Sequence, residues 1–491
     1  MPSRRENTQM KLYKISTLGC KVNQYDACAA QKVLEQAGFQ EAQKLQPCSI
    51  VLVNTCCITA VAMRKSRQAM RKLTRENPQA VICILGCYST YHADAISEVL
   101  TELDIPKSRQ IIAGHHENVS AAILQTIKAA DGSAQPSADD NTISADLVAK
   151  NPETIKARRK DAVAHDTIAT QHLPAIDQFS GHQRAFVKVQ DGCDAFCNYC
   201  VVPYTRSKVW SKSIDEIITE CQSLVKNGHR EIVLCGVFLG AFGQKTSIRR
   251  KWENPNPTLL AELVEKVSQI DGLWRVRLSS LEPGDVNNSL IEVAKKCEKL
   301  APHLHLPLQS GSERILRKMN RQYSAQDFLK TAELLHQIWD RPALSTDIIV
   351  GYPGETEEDF AETLAVAKAS NFSKIHAFPF SAIEPTRAWQ IRHEMPNPQT
   401  VKNRIAQLAE IEKVNSANYR KQFINESLIG LVESTKIGQN KARAMTDRYI
   451  AADFDIPENL NKQSLVGKLV TLKVIELSDA GVIGEFVNFA D

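Results

Sequence analysis

The pattern of apolar and polar positions divides the chain into stretches of different periodicity. Between residues 11 and 130, short apolar runs such as KLYKISTLG, SIVLVNT and AVICILG alternate with segments of helical periodicity. Strands that alternate with amphipathic helices are typical of a parallel sheet covered by helices. The pattern therefore predicts an N-terminal parallel-sheet α/β domain over residues 11–130.

Residues 131–180 interrupt this alternation. They are polar, beginning with DGSAQPSADDNT and ending within HLPAIDQFSGHQR, and we interpret them as a linker. The alternation resumes over residues 181–424 with six runs: AFVKVQ, EIVLCGV, RVRLSS, HLHLPL, ALSTDIIV and KIHAFPF. Six strands separated by helical stretches predict a partial (β/α)6 barrel. Residues 425–491 hold short runs such as LVTLKVIEL, which predict a small all-β module.

Length and composition agree with a multidomain protein. A chain of 491 residues exceeds what one hydrophobic core usually supports. It contains no run of about 18 apolar residues, and MPSRRENTQM lacks the apolar stretch of a secretory signal. We therefore expect a cytoplasmic location and no membrane partner. The net charge of +4 is too small to indicate a nucleic-acid partner, so such a partner must be argued from local clusters.

Cysteine usage indicates metal binding or thiol chemistry. Thirteen cysteines are not expected to form disulfides in the cytosol, where thiols stay reduced. Cys193, Cys197 and Cys200 lie close together, with no fourth thiol nearby. Three thiolates on a 4Fe-4S cluster would leave one iron open for a substrate or cofactor. Zinc with a distant fourth ligand, or three unreactive thiols, are the alternatives, although CxxxCxxC is unusual for zinc.

A second set of cysteines follows predicted strands of the first domain. Cys20, Cys56 and Cys87 end the stretches STLGC, VNTC and LGC. Ligands gather at the carboxyl ends of parallel strands, so we predict a second three-thiol cluster at this edge. The alternative is that each cysteine is a small buried apolar residue. Strand alternation predicts that Cys57 faces away from Cys56 and only packs.

The motifs together resemble a known family. CxxxCxxC with Tyr199 before its last cysteine resembles the radical S-adenosylmethionine (SAM) enzymes. With TLGCKVNQYD, LVNTC, RLSSLEP, HLPLQSGSERILRKMNR and DIIVGYPGETEEDF, nearly the whole chain resembles the methylthiotransferases. This resemblance implies that the last module is an OB-like TRAM domain. TLGCKVNQYD is most similar to the branch that acts at C2 of N6-threonylcarbamoyladenosine, next to the anticodon of tRNA.

The resemblance also implies cofactors and site residues. It implies two 4Fe-4S clusters, one on Cys193, Cys197 and Cys200 and the other on Cys20, Cys56 and Cys87, with SAM used both as radical source and as methyl donor. The residues expected near SAM are Tyr199, Ser280, Glu282, Gln309, Gly351 and Gly354. The two glycines also suit an ordinary strand-to-helix turn, and the polar residues suit helix caps. Phe238 stands where the family tends to have Asn, so no role is assigned to it.

Partners follow from the resemblance and from one basic segment. RKSRQAMRKLTR places Arg64, Arg67, Arg71 and Arg75 near helical spacing, opposite Met63, Met70 and Leu73, which suits phosphate contacts or a solvated basic face. From residue 426 onward there are seven Lys or Arg and ten Asp or Glu, and this acidic excess argues against general phosphate binding by the last module. We expect a monomer with a tRNA substrate, a reduced flavodoxin- or ferredoxin-type electron donor and an undefined sulfur donor.

Two other functions stay open at this stage. Within the same family, the substrate could be isopentenyladenosine in tRNA or an aspartate of a ribosomal protein. From a different class, the chain could be an iron-sulfur RNA-binding sensor that catalyses no transfer. The polar residues at the barrel strand ends favour an enzyme, because that face is where (β/α) folds place their chemistry.

Overall fold

The computed structural model describes residues 11–115, 119–131, 173–254, 257–435 and 440–490. Most of the predicted linker, residues 132–172, lies outside these ranges. The chain forms two compact units. The first comprises Met1–Ile176 and Val201–Lys208, and the second comprises Asp177–Cys200 and Val209–Asp491. No helix in the described ranges is long and apolar enough to cross a bilayer.

The first unit is built on a parallel sheet, as the alternating pattern predicts. Its strands are β1 (Leu12–Thr17), β2 (Gln40–Glu41), β3 (Ile50–Thr55), β4 (Val81–Gly86) and β5 (Gln110–Ile112). Their order is β2-β1-β3-β4-β5. All residues of β3 and β4 are buried, as expected for a parallel sheet covered on both faces. The carboxyl ends of β1, β3 and β4 therefore lie side by side.

Helices flank this sheet. In chain order they are α1 (Lys21–Gln36), α2 (Ala60–Glu76), α3 (Cys87–Tyr91), α4 (Ala93–Glu102), α5 (Val119–Ala130) and the single turn α6 (Val202–Thr205). Leu34 of α1 and Ile123 of α5 pack with Tyr13, Ile50 and Leu52 of the sheet in one apolar cluster. This packing holds the helices so that α1 and α3 begin directly at the strand ends that carry cysteines.

The second unit contains the predicted partial barrel. Its strands are β6 (Arg184–Asp191), β7 (Trp210–Ser211), β8 (Glu231–Gly236), β9 (Arg275–Leu278), β10 (His303–His305), β11 (Ala343–Val350) and β12 (Lys374–Pro379). They form the sheets β7-β6-β8-β9 and β10-β11-β12, linked by parallel bridges from Val276 to Leu300 and from Ser280 to His305. Strand β7 is antiparallel, and the other six are the parallel strands of the barrel.

The helices of the second unit follow the strands. They are α7 (Ile214–Lys226), α8 (Leu259–Ser268), α9 (Asn288–Lys296), α10 (Glu313–Lys318), α11 (Ala325–Ile338), α12 (Glu357–Ala369), α13 (Arg387–Gln390), α14 (Pro398–Lys421) and α15 (Lys462–Leu465). Helices α7, α11 and α12 each begin with a reciprocal capping box. Such boxes satisfy backbone donors that a helix start leaves unpaired, so these helix starts are fixed locally.

A closed five-stranded barrel ends the chain. It consists of β13 (Ser427–Thr435), β14 (Lys441–Thr446), β15 (Ala451–Asp455), β16 (Leu469–Leu477) and β17 (Val482–Phe489), in the order β13-β14-β15-β17-β16. Its interior side chains, including Phe454 and Val470, pack with Tyr419 and Phe423 at the end of α14. Closure leaves the small sheet without free edges.

Charged residues close the end of the (β/α) barrel where its strands begin. Glu231 accepts hydrogen bonds from Arg275 at 2.9 Å and from Arg277 at 2.6 Å, and all three side chains are buried. Arg277 also donates to the carbonyl oxygen of Thr446, the last residue of β14, at 2.6 Å and to that of Asp447, in the turn after β14, at 3.1 Å. We call Glu231, Arg275 and Arg277 the foot network. It lies at the opposite end of the strands from Cys193, which follows β6.

Candidate active site

The structure brings Cys20, Cys56 and Cys87 together at one edge of the first sheet. Cys20 precedes α1, Cys56 follows β3, and Cys87 is the first residue of α3. Burial raises the pKa of Cys20 and of Cys56; Cys87 adds to the effect on Cys20, and Cys87 and Cys20 add to the effect on Cys56. Desolvation and these neighbours raise the pKa of Cys56 to about 12. Thiols this crowded are stabilised as thiolates by a cationic metal centre.

Two glycines make this crowding possible. Gly19 has φ +105°, and a Cβ there would lie 3.1 Å from the Sγ of Cys56. Gly86 has φ +102°, and a Cβ there would lie 2.4 Å from the carbonyl oxygen of Thr55. Both positions therefore need glycine, for its positive φ and for the close approach. Ser66 of α2 fixes Cys56 further, because its hydroxyl bonds both the N–H and the carbonyl of Cys56 at 3.1 Å.

The interpretation of Cys57 as a residue that only packs was wrong. Its thiol hydrogen-bonds Cys87, and this bond is the largest cause that lowers the pKa of Cys87 well below its ordinary value, while burial opposes it. His115, whose Nε2 lies 3.6 Å from the Sγ of Cys87, acts in the same direction. Strand β3 ends at Thr55, so strand alternation does not set the direction of Cys57.

The second thiol triad lies in the loop after β6. Cys193 is buried, whereas Cys197 and Cys200 are partly exposed. Desolvation raises the pKa of Cys193, and its neighbours Cys197 and Cys200 add to the effect. The loop is anchored by Asn198, which donates to the carbonyl of Lys318 at 2.7 Å, and by Asn320, which donates to the carbonyl of Phe196 at 3.0 Å.

Arg321 connects this loop to a strand end. Its Nη1 donates to the Sγ of Cys197 at 3.2 Å and to the hydroxyl of Tyr199 at 3.1 Å. Its Nη2 pairs with Glu282. The side chain is buried, so these contacts act in a low-dielectric setting. Sequence reasoning did not select Arg321, although the quoted stretch HLPLQSGSERILRKMNR ends with it.

Glu282 has two arginine partners. Besides Arg321, it pairs with Arg249 at 2.6 Å, and Arg249 also bonds Asp285 at 2.8 Å. Burial alone would raise the pKa of Glu282, but the two arginines hold it below its ordinary value. The carboxylate is thus ionised and internally paired. Phe238 supports the same group, since the Arg249 guanidinium lies 5.2 Å from its ring centroid, a cation–π distance.

The other predicted SAM contacts lie on the same face of the barrel. Ser280 is exposed at the end of β9. The Oγ of its neighbour Ser279 is buried and has no hydrogen-bond partner among the described residues. Gln309 has φ +63° and bridges to Ile348 of β11. A buried hydroxyl without a partner is a feature that a bound polar ligand can satisfy.

Hydrogen bonds and an ion pair stabilise the GYPGE turn. The N–H of Gly351 donates to Glu355 at 2.7 Å, and buried Arg404 pairs with Glu355 at 2.7 Å. Gly351 and Gly354 have φ +80° and +74°. Arg314 donates to the carbonyl of Gly354 at 2.6 Å. These contacts account for the turn itself, and a role of both glycines toward SAM stays a prediction.

The basic segment forms most of α2. Its buried stripe is Ser66, Met70 and Thr74, rather than the predicted Met63, Met70 and Leu73. Arg64, Lys65, Lys72 and Arg75 are exposed. Arg67 and Arg71 have protein partners, as Arg67 donates to the hydroxyl of Tyr88 at 3.1 Å and Arg71 lies 3.6 Å from Glu102. The helix thus presents four exposed cationic side chains.

The two thiol triads suit polynuclear clusters. In the described ranges, no three His, Cys, Asp or Glu side chains converge to hold one metal ion. The thiolates of a 4Fe-4S cluster bind different irons and do not meet at one point. Three soft thiol donors at each site and the glycine at position 19, where a Cβ would crowd Cys56, fit such a group.

Two family descriptions match the chain. Residues 187–367 match the Radical SAM superfamily, and residues 12–106 match Uncharacterized protein family UPF0004. The solved structure of the radical SAM methyltransferase TsrM from Kitasatospora setae, with cobalamin and a [4Fe-4S] cluster bound, has a TM-score of 0.50 at 12% identity, covering 76% of this chain and 75% of that chain. This likeness supports the fold.

Curated relatives match over nearly their full length. The threonylcarbamoyladenosine tRNA methylthiotransferase MtaB of Chlamydia pneumoniae is 31% identical, covering 97% of this chain and 98% of the relative. MtaB of Bacillus subtilis is 31% identical over 97% of this chain and 96% of the relative. The tRNA-2-methylthio-N(6)-dimethylallyladenosine synthase of Clostridium botulinum is 31% identical over 96% of each chain.

Proposed function

The chain belongs to the radical SAM tRNA methylthiotransferases, and from that membership we propose that it adds a methylthio group to C2 of N6-threonylcarbamoyladenosine in tRNA. One observation carries the proposal: full-length similarity to two relatives named for this substrate, in a chain that places two thiol triads at strand ends. The stretch TLGCKVNQYD, which surrounds Cys20, supports the same branch.

Family members bind SAM and a 4Fe-4S cluster, and methylthiotransferase relatives carry two clusters. We assign Cys193, Cys197 and Cys200 to the cluster that works with SAM, and Cys20, Cys56 and Cys87 to the second. When bound, these groups supply the electron, the carbon radical and the sulfur that the transfer needs. A radical route suits adenine C2, because its C–H bond is too weakly acidic for side-chain bases near neutral pH.

The described residues have distinct tasks in this scheme. Arg321 orients Cys197 and Tyr199 through hydrogen bonds. Glu282 balances the charge of Arg321 and Arg249. Ser279 offers a hydroxyl that bonds no other residue in the part of the chain that the structure describes, and Ser280, Gln309, Gly351 and Gly354 stay proposed SAM neighbours. The exposed cations of α2 suit contacts with tRNA phosphates. We further propose that the protein acts as a cytoplasmic monomer with a flavodoxin- or ferredoxin-type electron donor.

Mass spectrometry of tRNA nucleosides tests the substrate. Cells that lack the gene are complemented with the wild type, with Cys20→Ala, with Cys193→Ala, or with Cys221→Ala, a buried cysteine outside both triads. We expect the methylthio form of threonylcarbamoyladenosine with the wild type and Cys221→Ala, and its loss with the other two. A methylthio gain on dimethylallyladenosine instead would move the assignment to the branch of the Clostridium relatives.

An in vitro assay tests whether the chain catalyses at all. The reconstituted protein is incubated with SAM and dithionite, and 5'-deoxyadenosine is measured. Formation of this product is expected of the wild type and not of Cys193→Ala. If the wild type with both clusters formed none, the chain would be better described as a non-catalytic iron-sulfur RNA-binding sensor.

A further inference from the structure

The segment after Cys200 contributes a buried arginine to the first unit. Residues Val201–Lys208 belong to that unit, although the chain on both sides of them belongs to the second. Arg206 in this segment is 5% exposed. Its Nη2 donates to Asn23 Oδ1 at 2.9 Å and to Asp26 Oδ2 at 2.7 Å. Arg206 thus bonds the first two turns of α1, the helix that begins directly after Cys20.

Asn23 joins the loops that carry two of the thiols. Its Nδ2 donates to the carbonyl of Leu18 at 2.8 Å and to the carbonyl of Thr55 at 2.9 Å. Leu18 lies two positions before Cys20, and Thr55 directly precedes Cys56. The amide has one orientation that satisfies all its partners, because both carbonyls need its N–H groups and Arg206 needs its oxygen. Arg206 therefore fixes the orientation in which Asn23 links the two loops.

Arg206 also places a positive charge near the three thiols. Arg206 is within electrostatic reach of Cys20, Cys56 and Cys87. A cluster held by three thiolates is electron-rich, and outer-shell groups orient its ligands and adjust its electronic properties. Both bonds come from the two N–H groups of one guanidinium nitrogen, Nη2, whose planar geometry fixes their directions, whereas a lysine ammonium stands at the end of a flexible stem.

We propose that Asn23 and Arg206 are positioning residues for the cluster of the first unit. They hold the Cys20 and Cys56 loops at the spacing that the cluster needs, and Arg206 supplies a buried positive charge beside it. This inference rests on the proposed function, because it takes Cys20, Cys56 and Cys87 as cluster ligands. If Arg206 served only to attach residues 201–208 to α1, its substitution would leave the iron content, spectrum and iron-release rate of the cluster unchanged.

Two full-length variants, used as backgrounds for further substitutions, each keep one of the two cluster sites. The first carries Cys193→Ala, Cys197→Ala and Cys200→Ala and keeps only the first-unit site. The second carries Cys20→Ala, Cys56→Ala and Cys87→Ala. Into each background we would introduce Arg206→Gln, Arg206→Lys or Asn23→Ala. Arg109→Gln is the control, since Arg109 bonds the Pro78 carbonyl in the same unit. After anaerobic reconstitution, iron and sulfide content, the EPR spectrum of the reduced cluster and the rate of iron release to a chelator are measured.

In the first background, Arg206→Gln and Asn23→Ala are expected to release iron about 10- to 100-fold faster, if the loss of metal affinity that follows removal of a residue holding a ligand is expressed in the release rate, with an altered EPR spectrum. Arg206→Lys should release iron at an intermediate rate, and Arg109→Gln at the unsubstituted rate. In the second background, all release rates should match. Together these results would support the positioning role.

Unchanged release and spectra in the first background would overturn the inference and leave the proposed function intact. Equal losses in both backgrounds would also overturn it, because the residues would then act on the whole fold. If the first background held no iron even without further substitutions, the two-cluster proposal itself would fail.

Discussion

Arg321 shows how one side chain can organise a cysteine loop. It bonds the sulfur of Cys197 and the hydroxyl of Tyr199, and its charge is balanced by Glu282. Because all of this is buried, removing the guanidinium would leave a carboxylate with a single partner in a low-dielectric setting, which is costly. The residue also touches a proposed cluster ligand directly, so its loss should affect the chemistry as well as the stability.

We therefore expect Arg321→Gln to lower the rate of 5'-deoxyadenosine formation by about 10- to 100-fold, in the range of outer-shell substitutions at metal sites. The rate is measured with SAM and dithionite on reconstituted protein, together with its iron content. Arg317→Gln, at an exposed arginine four positions earlier, is the control and should keep the wild-type rate. Equal rates for both variants would contradict the role given to Arg321.

At the scale of elements, the foot network joins the strand starts of the (β/α) barrel to the β14–β15 turn. Glu231 begins β8, and Arg275 and Arg277 belong to β9. Burial alone would raise the pKa of Glu231, but Arg275 and Arg277 hold it below its ordinary value. The carboxylate is thus ionised at neutral pH, and it compensates two buried guanidinium groups.

Glu231→Gln should lower the free energy of unfolding by about 3–5 kcal/mol, the usual cost of removing one partner of a buried ion pair. Chemical denaturation near pH 7 measures this difference, and Glu292→Gln, at an exposed ion pair, should show almost none.

The contribution of Glu231 should also depend on pH. A depressed carboxyl pKa gives stability that is present above the unfolded pKa of 4.5 and is lost as the pH falls through the folded pKa. The difference between wild type and Glu231→Gln should therefore shrink below that pH. A constant difference at all pH values would argue against the ion pair.

At the scale of the whole molecule, the net charge of +4 hides a local concentration of cations. Helix α2 exposes Arg64, Lys65, Lys72 and Arg75. Phosphate contacts release counterions, so their number determines how steeply affinity falls with salt. The C-terminal barrel has an excess of acidic residues, which makes α2 the better candidate for a phosphate contact.

Replacing Arg64, Lys65 and Lys72 with glutamine should weaken tRNA binding and reduce the slope of log affinity against log salt by roughly 2. Filter binding over a series of salt concentrations measures this slope. Replacement of Lys226, Lys295 and Lys296, which are exposed on α7 and α9, removes the same charge elsewhere. The role of α2 would be disproved if both triple variants had the same slope.

Much of this architecture follows from local sequence patterns. The continuous apolar runs of β3 and β4 predict buried parallel strands, and the position of Cys56 and Cys87 directly after them predicts where their thiols gather. Contacts between distant positions could not be predicted in this way. Arg206 lies 180 positions from Asp26, and Arg321 lies 124 positions from Cys197. A local pattern contains no signal for such pairs, although both arginines stand inside or next to stretches that carry the family resemblance.

The end of a strand is a second limit on prediction. The direction of Cys57 depends on whether β3 ends before or after it, and apolar patterns locate strand ends only approximately. The helical conformation of α2 could be predicted because its cationic residues recur at helical spacing over several turns. Its buried stripe was misplaced because serine and threonine, which pack against the sheet there, carry no hydrophobic signal.

The membership of Val201–Lys208 in the first unit has a practical consequence for anyone who would divide this polypeptide. A gene fragment that stopped at Ile176 would encode every strand of the first sheet but would omit Arg206. Asp26, which is buried, would lose the guanidinium that it faces, and Asn23 would lose the donor to its amide oxygen. Expression trials of the isolated N-terminal half should therefore give a less stable product than its intact sheet suggests, and supplying residues 201–208 as a fused tail should restore part of the loss.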